Sequence, residues 1–182
     1  LVMQGDNVFI KNPLDVLEHE AAGAWYPIQK GAALGMASVR TVSRDYFISK
    51  ADLAAEADAL LPGDIMLTRR EWHLTNLGIP GYWTHAALYI GSVDQMDSYF
   101  ADLPELEGTS PSTVIAERFP EVYVGLNLSD EDGVKPSIIE ALRPGVILQS
   151  LYASAGADSV AVLRPKLTKA DRWQALLAAL PH

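Results

Sequence analysis

The sequence predicts an α+β fold: a small antiparallel sheet or open barrel built from residues 64 to 163, with helices on its side. Three observations predict it. The run Trp83 to Ile90 alternates with the period of two that belongs to a strand. Three further short apolar runs, 137–142, 146–151 and 160–163, are separated by turns that Gly145 and Gly156 serve. Two other segments, 49–61 and the run from Lys169, carry apolar residues at helical spacing.

The elements follow in chain order. Residues 1 to 48 read as an irregular arm with some local helix, since Asn12-Pro13 and Tyr26-Pro27 mark turns and Gly31 to Gly35 is small and flexible. A helix is expected from Ser49 to Leu61. Ser49 can cap it, Asp52 sits in its first turn, and Leu53, Ala57 and Leu60 share a face. Pro62-Gly63 stops it. Asp64 to Thr68 is a short apolar strand, and 69–82 is a loop holding Gly78, Pro80 and Gly81. In the next strand Thr84, Ala86, Leu88 and Ile90 point one way, and Trp83, His85, Ala87 and Tyr89 the other. Residues 94–136 stand apart as an acidic insertion or lid, with ten acids against two bases, a local charge of −8. In the following strand Ile138, Glu140 and Leu142 share a face, and Glu140 is the one charge in the run. The final helix can be capped by Thr168 and carries Trp173, Leu176, Leu177 and Leu180 on one stripe. The expected organisation is therefore the 1–48 arm and one domain over 49–182.

Composition narrows the function classes. The chain has 182 residues, 49% hydrophobic and 20% charged, which excludes wholesale disorder. A net charge of −9 is the wrong sign for non-specific binding to nucleic acid or to an anionic membrane surface. The stretch from Leu77 to Val93 holds Pro80, three glycines and His85, so it is too broken to span a bilayer. No basic segment followed by an apolar one reads as a signal peptide, although the first residue is Leu1, as expected if an upstream segment had been removed. There is no cysteine, hence no disulfide, thiolate metal site or thiol nucleophile within these residues.

Few side chains remain for chemistry. His19-Glu20 opens like the zinc helix pattern, but position 23 is Gly, so no metal site is expected. Ser129 to Gly133 lacks the ligand register of a calcium loop. No phosphate loop or dinucleotide fingerprint is present, so no cofactor is expected. His182 is terminal and His73 lies in a loop, whereas His85 lies within a strand. Glu140 sits among Ile138, Ile139, Ala141 and Leu142, where an unpaired carboxylate is costly to bury. It calls for a partner, and a histidine on a neighbouring strand serves. A carboxylate that orients an imidazole is the base-plus-orienter arrangement of nucleophilic hydrolases. An edge-strand Glu facing water and a hydrogen-bonded core histidine are the plainer alternatives. Ser154 in Tyr152-Ala-Ser154-Ala-Gly156 lacks the first glycine of the serine elbow.

Leu61-Pro-Gly-Asp-Ile-Met-Leu-Thr68, followed by Trp83-Thr-His-Ala-Ala-Leu-Tyr-Ile-Gly91, resembles the YiiX-like cysteine hydrolases, circularly permuted relatives of papain and of the NlpC-type cell-wall peptidases. Ile138-Ile-Glu140-Ala141, Gly145-Val146 and Val160-Ala-Val-Leu-Arg164-Pro165 continue the likeness in order, over roughly 58–180. The resemblance implies a permuted papain-like fold, with His85 as general base and Glu140 orienting it. Trp83 and Tyr89 then line a cleft beside His85, unless they serve the core. It implies a peptide, peptidoglycan or lipid-like substrate and a place in the bacterial cell envelope. The family's cysteine opens a helix that follows the Arg-Pro strand and its helix, a position beyond His182. The expectation is a fragment whose nucleophile-bearing segment is missing. The alternatives are an inactive binding module on the same scaffold and a hydrolase using a serine of this chain.

Overall fold

The computed structural model describes residues 45–71, 81–142 and 145–180. Most of the expected arm lies outside the described residues, as do His19, His73, His182, Gly78 and Pro80.

Eleven elements are named here. They are α1 (Lys50–Glu56), β1 (Asp64–Arg69), β2 (His85–Tyr89), α2 (Val93–Phe100), α3 (Pro111–Arg118) and α4 (Pro120–Asn127), then β3 (Ile138–Ala141), β4 (Val146–Gln149), α5 (Leu151–Ala155), β5 (Ser159–Leu163) and α6 (Lys169–Ala179). The fold is mixed α+β. Its sheet is open, with five strands in the order β4-β3-β2-β1-β5, every neighbouring pair antiparallel. The last strand therefore crosses the molecule to pair with the first, Ile65 opposite Leu163.

Alternation along the strands divides the core in two. On one sheet face Met66, Ala87, Tyr89 and Ile138 pack with Leu53 and Leu60, beneath α1, and with Ala155 of α5. On the other, Ile90 and Ile139 pack against Met96 and Phe100 of α2, Ile115 of α3, Leu126 of α4 and the α6 stripe. All four apolar residues read from the α6 spacing, Trp173, Leu176, Leu177 and Leu180, are buried. Phe100 meets Trp173 at a ring-centroid distance of 5.2 Å.

The acidic segment supplies half of the buried residues of this second core. Three helices run through it: Asp94, Glu117 and Glu121 are exposed, half-buried Asp97 accepts from the Ser112 amide and hydroxyl, and Met96, Phe100, Ile115 and Leu126 point in. Each helix has a defined start. Ser92 and Gln95 form a capping box for α2, Ser110 caps α3 with Pro111 in its first turn, and Pro120 opens α4.

The turn at Pro62-Gly63-Asp64 is locked from two sides. Gly63 has φ +90°, and a Cβ there would lie 3.1 Å from Cγ of Arg172. Asp64 is fully buried. It accepts from Nε and Nη2 of Arg164 at 3.0 and 2.7 Å, from Nη1 of Arg172 at 3.2 Å and from the Leu61 amide at 2.9 Å. One carboxylate thus joins the start of β1, the residue after β5 and helix α6.

Two expected boundaries differ. The strand beginning at Val146 ends at Gln149, because Ser150 caps α5, so Leu151 opens a helix. The helix beginning at Ser49 narrows after Glu56 into a 3-10 turn over Ala57–Ala59.

Candidate active site at the start of strand β2

His85 is the first residue of β2, and Glu140 lies on β3 opposite Ala87. Residues two apart on a strand share a face, so His85 and Glu140 are diagonal neighbours on one side of the sheet. Their side chains meet: Nε2 of His85 lies 2.5 Å from Oε2 of Glu140. The carboxylate is 4% exposed, while the imidazole side chain keeps 26% of its surface. One member of the pair is buried and the other reaches solvent.

Glu140 has a second partner. Ser154 Oγ donates to the same Oε2 at 3.0 Å. Ser154 is on α5 and is 0% exposed. Burial pushes the Glu140 carboxyl up, but the hydrogen bond and charge of His85, the Ser154 hydroxyl and the charge of Arg70 together hold it below its ordinary value. It is a carboxylate at neutral pH.

An ionised Glu140 accepts only, so the proton between the pair sits on Nε2 when the ring is neutral. The lone pair then falls on Nδ1, for which the described residues supply no hydrogen bond. That nitrogen is chemically a base. No family model, curated protein or solved structure matches this chain.

The other expected site residues are placed as follows. Tyr89 is 2% exposed, four residues along β2 from His85, and its hydroxyl donates to Gln95 Oε1 at 2.9 Å. Burial pushes its phenol up. It is a core residue, which corrects its expected place on a cleft wall. Trp83 is half-buried just ahead of β2, edge-to-face with Tyr82 at 4.9 Å. Thr68, opposite His85 in the register, is buried beside it. Among the described residues no three His, Asp or Glu side chains gather to hold a metal ion, and no helix is long and apolar enough to cross a membrane.

Ser154 was visible in the sequence only as a poor match to a nucleophile motif. Its bond is to Glu140, not to His85, so it is not poised to be activated by the ring. Nothing in its local sequence signals a carboxylate partner. The contact arises because α5 carries it over β3.

A groove of about 470 Å³ opens between α1 and the β1–β5 edge, walled by Leu53, Leu60, Met66, Val160 and Val162. It lies on the same face of the sheet as His85. Val160 pairs with Thr68, and Thr68 with His85, so the groove wall is two strand spacings, about 10 Å, from the imidazole.

Proposed function

We propose that this chain carries the base and orienting carboxylate of a papain-like cysteine hydrolase on a permuted papain-like scaffold. The observation that carries the reading is the 2.5 Å contact between a partly exposed His85 and a buried, ionised Glu140, with Nδ1 left as the base. His85 Nδ1 takes the proton of an attacking thiol, and Glu140 stabilises the imidazolium that forms. The thiolate attacks an amide or ester carbonyl, and the imidazolium returns its proton to the leaving group. His85 then draws a proton from a water that hydrolyses the acyl-enzyme. No cysteine occurs in these 182 residues, so the reading requires the thiol from polypeptide outside them. The apolar groove about two strands away supports an apolar portion in the substrate, in keeping with peptide, peptidoglycan or lipid-like amides and esters.

The test uses the natural protein from its source. Intact mass with iodoacetamide is measured alongside hydrolysis of p-nitrophenyl esters and aminocoumarin amides. The expected result is a mass above 19.8 kDa, one alkylated thiol, and a rate that falls about 10²–10⁴-fold in His85→Ala. A mass equal to these residues, no thiol and no His85-dependent rate would overturn it and leave a scaffold that binds without cleaving.

A further inference from the structure

Ser154 stands behind the pair with a single hydroxyl proton and no exposed surface. Its Oγ and the His85 ring converge on one oxygen, Oε2, from two different elements. Helix α5, which carries Ser154, has five residues and cannot hold itself in place. Arg70, just past β1, clamps it. Nε of Arg70 donates to the Gly156 carbonyl at 3.0 Å, and Nη2 to those of Ala153 and Ser154 at 3.0 and 2.9 Å. Ser150 caps the other end through the Ala153 amide. Gly156 admits no side chain, since a Cβ there would lie 2.7 Å from the Tyr152 carbonyl oxygen. The backbone of Ser154 is therefore fixed, and its hydroxyl aims at the carboxylate.

We propose that Ser154 is a positioning residue that acts on His85 through Glu140: its hydroxyl pins Oε2 against Nε2 and so holds the ring in the Nε2–H tautomer, with Nδ1 unprotonated. Its bearing on catalysis rests on the reading of His85 as a base. The geometric part does not. A carboxylate on two rotatable bonds can turn Oε2 away from a ring. A donor from the opposite side removes that freedom, because turning away would leave a buried hydroxyl unpaired. The charged and polar groups acting on Glu140 are His85 from β2, Ser154 from α5 and Arg70 beyond β1. Ser154 is the one that carries no charge in either state of the ring, so it orients the carboxylate without adding to its charge balance.

The experiment is long-range ¹H–¹⁵N NMR of the His85 ring in this chain, with the pH raised until the ring ¹⁵N shifts stop changing. In the wild type Nε2 should resonate as a protonated nitrogen and Nδ1 as a bare one. In Ser154→Ala the two shifts should move toward each other, and the downfield Nε2–H proton should broaden as it meets solvent. In Glu140→Ala, adding Ser154→Ala should cause no further movement, since the side chain that links Ser154 to the ring has gone. A residue that only packs would shift the ring little, or equally in both backgrounds, and either result would overturn the proposal. The amide spectrum checks that each variant folds. Should Ser154→Ala not fold, Ser154→Cys keeps a weaker donor and must give intermediate ring shifts; unchanged shifts there also sink the idea. None of these readouts needs turnover, so a failed hydrolase assay leaves them untouched, and their failure leaves that assay standing.

Discussion

Glu140 is buried among apolar neighbours, yet three groups favour its charge more than burial opposes it. Linkage turns that into a pH dependence. Its folded value is depressed, so the unfolded chain binds the proton first as pH falls. The stability it contributes is present above the ordinary carboxylate range, near pH 4.3, and is lost as pH falls through the lower folded value. Asp64 has the same sign: burial raises it, and Arg164, the Leu61 amide and Arg172 outweigh that. Urea midpoints measured from pH 6 down to 2 should therefore fall in the wild type, and Glu140→Gln should flatten part of that slope. An unchanged slope would mean that Glu140 does not hold its charge in the fold. At this scale the pair was readable in advance, because a lone charge in an apolar strand needs a partner and His85 was the histidine within a strand. Tyr89 was misplaced because alternation tells which residues share a face, not which part of that face is covered. In the fold Tyr89 lies under the α1 core with its hydroxyl on Gln95.

Elements were readable in proportion to their length and caps. Helix α6 has eleven residues, a capping box at Thr168 and Asp171, and an apolar stripe, so its inward face followed from spacing alone. Helices α2, α3 and α4 have eight residues each, and acids along their outer faces make the segment look like a solvated insertion. The signals present were Ser92 three residues before Gln95, and prolines at the starts of the next two helices. Helix α5 is a single turn whose place depends on Arg70, a contact over eighty residues away in sequence that no local pattern encodes. Because Trp173 and Phe100 close the larger core between α6 and α2, Trp173→Ala should cost about 3–5 kcal/mol in urea unfolding. A cost under about 1 kcal/mol would mean that α6 is not packed in this way.

Across the whole molecule, Asp64 is the junction of the described fold. Its two arginines come from the end of β5 and from α6, and its fourth bond is to the turn before β1. Removing it leaves Arg172, 4% exposed, with an uncompensated charge, so Asp64→Ala should cost about 3–5 kcal/mol in the same urea assay. A near-neutral result would show that the arginines find other partners. The pieces Pro62-Gly63-Asp64 and Arg164-Pro165 are a hundred residues apart in sequence and are joined in the fold by this one carboxylate.

The strand order has a consequence for when this fold can form. β1 is complete once Arg69 has been made, but its β5 partner does not exist until Leu163 has left the ribosome. At about 5–20 residues per second, that interval is several seconds. Throughout it, β1 presents at least one unpaired edge, with Ile65 and Leu67 among its side chains. A nascent chain that stalls between β4 and β5 would offer that edge to any neighbouring strand, so aggregation during synthesis should track pausing in this window.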